Sequence, residues 1–231
     1  MITIATDGSC IGNPGAGAYG LVAQGNGLLI ERAIPVAATT NNEMELRGLL
    51  EALLLYADSL QSQGPATILC DSQLAVKGYN EWLDGWRSGG WRKKGGAIAH
   101  LALWQEIAFL KSLVGDRVAV QWIRAHQNRG TINDRVDALA NACARSQRAV
   151  NGPALQDTLD GFAERLAAAY PGRTGTAASV PSPATIRAPG THTPEDAGTV
   201  LSAARRLITD RLGSDPHAIA LVTRIDAVLA A

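Results

Sequence analysis

Cysteine is scarce: Cys10, Cys70 and Cys143 are the three in a chain of 231 residues. They are too few and too scattered for a disulfide framework or a zinc knuckle, so free thiols and a cytoplasmic setting are expected. Net charge is lacking as well, because 21 Lys+Arg balance 21 Asp+Glu. Nothing global draws the protein to nucleic acid, and any such affinity must come from local charge. No apolar run reaches about 18 residues, so no membrane span is expected. The N-terminus lacks a basic segment followed by an apolar core, so no signal peptide is expected. The chain opens on a strand, which leaves no N-terminal module to expect. What is there is 46% hydrophobic, ordinary for a globular protein with one large domain or a medium one plus a small one.

Apolar periodicity is dense over residues 1–150. Residues 2–6 and about 18–24 read as strands around a glycine turn, and 28–36 as a third strand that Pro35 ends or places at an edge. Leu46, Leu49, Leu50, Leu53 and Leu54 recur at helical spacing, predicting a long helix over 41–62 that Gly64-Pro65 stops. Residues 66–71 form a short buried strand, 72–82 a helix, 100–113 a helix, 118–123 a fifth strand and 132–150 a closing helix. Three consecutive strands imply an antiparallel meander, and strand–helix–strand steps imply parallel pairing. The expectation is an α/β domain, a five-stranded mixed sheet with helices on its faces. Residues 171–193 are rich in Pro, Thr, Ala, Ser and Gly without an aromatic and read as a flexible linker.

Three acids fall at the ends of buried-looking elements. Asp7 ends the first strand, Asp71 ends the fourth, and Glu45 lies near the start of the long helix. In α/β sheets, sites form outside strand ends. If strands one and four are parallel neighbours, Asp7 and Asp71 share a crevice, where carboxylates repel unless protonated or bridged by a cation. Oxygen-rich clusters suit Mg²⁺ or Mn²⁺. Each acid also has a local structural reading. Asp7-Gly8 is a turn signature, Asn42 with Glu45 matches a capping box, and Asp71 before Ser72 could cap the second helix.

The motifs decide between these readings. Thr6-Asp7-Gly8-Ser9 followed by Asn13-Pro14-Gly15, then Thr40-Asn41-Asn42 with Met44-Glu45-Leu46, then Asp71-Ser72-Gln73, stand in that order. They are followed by Trp82, Trp86, Trp91 and Trp104, and by His126, Asn133, Asp137, Leu139 and Ala140. This series resembles the type 1 ribonuclease H family, the bacterial kind. The resemblance implies a ribonuclease H-like fold and an endonuclease that cleaves the RNA strand of RNA–DNA hybrids, as in clearance of RNA primers and R-loops. It implies two Mg²⁺ ions with substrate (Mn²⁺ substituting) on Asp7, Glu45, Asp71 and Asp137, and products with 5′-phosphate and 3′-hydroxyl ends. Asp7 would bridge both ions. His126, in the loop before the last helix, would aid proton transfer or product departure, or else be a plain surface histidine. Asp134 lies one turn before Asp137, and the motif register favours Asp137 as the ligand.

Substrate contacts are implied in the same way. Cys10, Asn13, Asn41, Glu45 and Gln73 would lie at the minor groove, where the 2′-hydroxyl marks RNA. Thr40 and Asn41 open a helix whose backbone N–H groups suit a phosphate, or simply cap it. The segment 82–96 resembles the family's basic protrusion, with Trp82, Trp86, Arg87, Trp91, Arg92, Lys93 and Lys94 toward the DNA strand. Its glycines and single acid, Asp84, imply a weaker grip and a shallower salt dependence than a fully charged arm. For Trp82 and Trp104, core packing is the favoured reading.

The resemblance leaves the last 80 or so residues uncovered. They read as an extension helix within 151–170, the linker at 171–193 and a helical hairpin over 194–231. Each hairpin helix has one apolar stripe that docks on the catalytic domain, pairs with another chain or binds a partner. The catalytic domain itself is expected to be monomeric. Two other functions compete: a non-catalytic nucleic-acid binder, which the complete acid set disfavours, and a nuclease of the same fold for double-stranded RNA or DNA junctions.

Overall fold

Three strands open the chain, β1 (Ile2–Ile11), β2 (Gly15–Gly25) and β3 (Leu28–Thr39). Two short ones follow, β4 (Ala66–Cys70) and β5 (Val118–Trp122). The helices are α1 (Asn41–Leu55), α2 (Gln73–Lys77), α3 (Leu83–Ser88), α4 (Leu101–Val114) and α5 (Ile132–Ser146). This computed structural model describes residues 1–125 and 130–152. His126, the extension helix from 153, the linker and the hairpin lie outside the described residues.

The sheet order is β3-β2-β1-β4-β5. The meander pairs antiparallel, while β4 runs parallel to both β1 and β5. The mixed α/β sheet therefore stands as expected, and Pro35 sits on the edge strand β3, where its missing N–H costs no ladder bond. Side chains alternate along β1. One set, with Gly8 and Thr6, meets Met44, Glu45 and Gly48 of α1. The other set meets α5, as Ala5 and Val22 pack with Val136. Among the described residues no helix is long and apolar enough to cross a membrane.

Several boundaries differ from the expected ones. β1 does not stop at Thr6 but runs on to Ile11, and the turn falls at Gly12–Pro14, with a cis Asn13-Pro14 peptide. The predicted helix 41–62 ends as an α-helix at Leu55 and continues as a π-helical turn (Tyr56–Leu60) and a 3-10 turn (Gln61–Gln63). Buried Tyr56 directs its hydroxyl to the Gly64 carbonyl, 3.0 Å away, which fixes this irregular finish. The predicted helix 72–82 splits into α2, a π-helical turn (Gly78–Trp82) and α3. Gly78 admits the Trp104 ring there, since a Cβ on it would lie 2.0 Å from the indole. At the far end, Val150 and Ala33 exchange backbone hydrogen bonds of 2.8 and 3.0 Å, fastening the chain after α5 onto β3.

Candidate active site

β1 and β4 run side by side until Thr6 faces Cys70, the last pair in their register. Asp7 and Asp71 are the next residue on each strand, so parallel pairing sets their backbones about one strand spacing apart, ~4.8 Å. Thr6 lies against Gly48 and Cys70 against Glu45, both on α1. Asp7 turns to the opposite face, alongside Ala5 and Ser9. Asp7 stays inside β1, paired with Gly20 of β2. This corrects the expectation that it ends a strand and rules out the turn reading.

The other two acids arrive on helices from opposite faces. Thr40 caps α1, accepting a hydrogen bond from the Glu43 N–H at 3.3 Å. The Asn42–Glu45 capping box therefore does not form, and Glu45 points inward, 6% exposed. Its backbone passes directly over Gly8, where a Cβ would stand 2.4 Å from the Glu45 nitrogen. Ser72 caps α2, accepting from the Ala75 N–H at 3.3 Å, so Asp71 is not the cap. On α5, Asp134 is engaged in a capping box with Thr131, with bonds of 3.0 and 3.3 Å. Asp137, one turn on, faces the sheet.

Asp7, Glu45, Asp71 and Asp137 line one cleft of about 480 Å³, together with Gly8, Ser9, Cys10, Asn41, Asn42, Ser72, Ala125 and Asn141. Burial first, then Asp71 and Asp137, push the Asp7 carboxyl up to about 8. Burial, then Asp7 and Asp71, raise Glu45 well above the usual carboxylate range. A group of acids held this way binds protons or a cation. Ligating atoms of Glu45, Cys70 and Asp71 lie within 4.8 Å of one another. Burial pushes the Cys70 thiol further up, so the thiol stays neutral. The donors that define the site are oxygens, the set that fits Mg²⁺ or Mn²⁺.

The other expected residues distribute unevenly. Cys10 and Asn41 line the cleft. Asn13 lies outside that lining and accepts the Asn41 backbone N–H at 3.2 Å. The loop thus occupies a helix N–H that the sequence leaves for a phosphate. Thr40 is the cap of α1, and Gln73 opens α2 in an exposed position. The aromatic arm stands away from this cleft lining: Trp104 is core at 2% exposed, Trp86 meets it edge-on at 5.4 Å, and Trp82 leans on Trp86 at 5.6 Å. Trp82 is 36% exposed, so its expected core role is not met. Arg92, Lys93 and Lys94 are exposed, while Arg87 and Trp91 are half-buried.

Three neighbours escaped the sequence reading. Asn141 contacts Asp137, Ser9 contacts Asn141, and the Trp122 indole donates to the Asp71 carbonyl at 2.9 Å. The first had a signal, the i,i+4 spacing on one helix face; the third depends on two strands meeting and had none.

The protein-family profile described as RNase H matches residues 1–145. A ribonuclease H of Polaromonas naphthalenivorans is 38% identical over 141 residues, covering 61% of this chain and 84% of the relative. One of Pelobacter propionicus is 39% identical over 148 residues, covering 64% and 86%. Among solved structures, LC9-RNase H1, a type 1 RNase H with the type 2 active-site motif, superposes with a TM-score of 0.53. It is 31% identical, and the match covers 65% of this chain and 75% of that one.

Proposed function

This chain belongs to the ribonuclease H family, and on that premise we propose a metal-dependent endonuclease that hydrolyses the RNA strand of RNA–DNA hybrids to 5′-phosphate and 3′-hydroxyl ends. The observation that carries the proposal is the convergence of Asp7, Glu45, Asp71 and Asp137 on one open cleft. These four would hold two Mg²⁺ ions. When bound, such ions supply an activated water and stabilise charge on the leaving 3′-oxygen.

The protein's own contribution is placement. Asp7 is fixed by strand pairing on β1, Glu45 by the close pass of α1 over Gly8, and Asp71 by the end of β4. Cys10 and Asn41 from the cleft lining, with Asn13 and Gln73, would meet the minor groove and read the 2′-hydroxyl. Trp82, Trp86, Trp91, Arg87, Arg92, Lys93 and Lys94 would hold the DNA strand through phosphate contact and stacking. His126 would assist proton transfer or product departure. A cytoplasmic setting and a monomeric catalytic domain belong to the same reading, with 151–231 as a separate extension, linker and hairpin.

The test is cleavage of a matched RNA–DNA hybrid, an RNA duplex and a DNA duplex, with and without Mg²⁺. Cutting of the RNA strand in the hybrid alone, and only with Mg²⁺, is expected. Equal cutting of RNA duplex, or cutting in EDTA, overturns it.

The Asp7 carboxyl also sets a pH dependence. A cation must displace the proton held near pH 8. Apparent Mg²⁺ affinity should therefore rise as pH climbs toward 8, by about tenfold per pH unit or more, because the raised Glu45 carboxyl also gives up its proton to the cation. Mg²⁺ titrations of cleavage rate between pH 6.5 and 9, at about half-unit steps, measure this. A half-saturating concentration that stays flat across the range counts against Asp7 as a ligand.

A further inference from the structure

Asp137 enters the cleft from α5 and is less enclosed than Asp7 or Glu45. An aspartate at such a position has several rotamers open to it, and ordering one costs entropy. In this structure the ordering comes from Asn141. Its Nδ2 donates to Asp137 Oδ1 at 2.8 Å and to the Asp137 carbonyl at 3.0 Å. Its Oδ1 accepts from Ser9 Oγ at 3.0 Å.

The chemistry fixes the direction of this chain. A carboxylate only accepts hydrogen bonds, so the amide must present its NH₂ to Asp137 and its oxygen to Ser9. An amide oxygen only accepts, so the Ser9 hydroxyl must donate. Ser9 lies two residues after Asp7 on the same face of β1 and is 8% exposed. The relay therefore runs from the strand that carries Asp7 to the helix that carries Asp137, and it fixes the fourth acid against the first.

We infer that Asn141, oriented by Ser9, is the positioning residue that holds Asp137 for divalent-cation binding. This rests on the four-acid reading above. Partners of ligating carboxylates typically alter metal affinity by about tenfold or more when removed, and here the partner, Asn141, shares α5 with Asp137 while Ser9, which orients it, lies on β1.

The test compares Asn141→Leu, Ser9→Ala and the double variant in the full chain. Mg²⁺ binding is followed in the two-dimensional amide NMR spectrum without substrate, beside kcat and KM on hybrid at saturating Mg²⁺. Asn141→Leu should raise the Mg²⁺ dissociation constant about tenfold while KM for hybrid changes by less than about twofold. Ser9→Ala should weaken Mg²⁺ binding in the same direction by less, and the double variant should be no worse than Asn141→Leu, because Ser9 acts through Asn141. Wild-type Mg²⁺ binding in both single variants, or additive losses in the double, overturns the inference. Ser9→Ala deletes a single oxygen without adding bulk and keeps the test open if Asn141→Leu folds poorly. Asp137→Ala in the same titration separates the two readings. Unchanged Mg²⁺ binding there removes the four-acid site, whereas weakened binding there with normal binding in Asn141→Leu removes only the relay.

Discussion

Asp7→Asn should reduce hybrid cleavage by at least about a thousandfold, since several kcal/mol of transition-state stabilisation pass through this carboxylate in the proposed reaction. The same change should raise the thermal midpoint of the metal-free protein at alkaline pH. The sign follows from the carboxyl being pushed up to about 8 from its ordinary value of 3.8. Between those values the folded protein holds a proton that the unfolded chain has released, so folding stability falls as pH rises through that window. Above it the folded state carries a buried anion facing Asp71 and Asp137, and the stability loss is complete. Asparagine keeps the shape and removes the charge, so a gain of a few degrees is expected above about pH 8 and little below about pH 4. Mg²⁺ should stabilise the wild-type protein and have a smaller effect on the variant. Thermal melts across pH with EDTA or Mg²⁺, beside hybrid cleavage, measure both effects. Undiminished cleavage would remove Asp7 from the reaction, and a lower midpoint at every pH would show that its charge stabilises the fold.

The second large effect concerns a position with no side chain. Gly8→Ala should lower kcat about a hundredfold, the scale expected when a reacting group is displaced by about an ångström. The added Cβ would stand 2.4 Å from the Glu45 nitrogen and 2.7 Å from the Met44 carbonyl carbon. Both are backbone atoms, so α1 must move off the sheet and take the Glu45 carboxylate with it. Overpacking of this kind costs about 1–3 kcal/mol, and the midpoint should fall by several degrees. Gly85→Ala is the control, because its Cβ meets nothing within 4 Å; it should leave rate and midpoint nearly unchanged. Wild-type kcat in Gly8→Ala would show that Glu45 keeps its place without the close pass.

The order of strands and helices was legible because apolar periodicity reports burial directly, and the sheet is as that order implies. The extent of β1 was not. Gly8, Gly12 and Gly15 look alike in sequence, yet Gly8 is strand backbone pressed under a helix while Gly12 belongs to the turn. Only the tertiary neighbour distinguishes them. Local capping rules offered Asn42 and Asp71 as caps beside Thr40, and the helices use Thr40, as one of those readings had it, and Ser72. That choice releases Glu45 and Asp71 for the cleft. Asp134 and Asp137 were separable by motif register, and the capping box at Thr131 gives the physical reason. Cys70 beside Glu45 and Trp122 on the Asp71 carbonyl join elements far apart in sequence, which periodicity does not report.

The register of β1 and β4, which ends at Thr6 and Cys70, also ties the site to the finished sheet. Asp7 and Asp71 come together only if two strands some sixty residues apart have paired in one register. A slip of one residue would turn Asp71 to the wrong face of the sheet. Partly folded or misregistered chains therefore lack the paired carboxylates, and the capacity to cut nucleic acid arrives with the finished sheet.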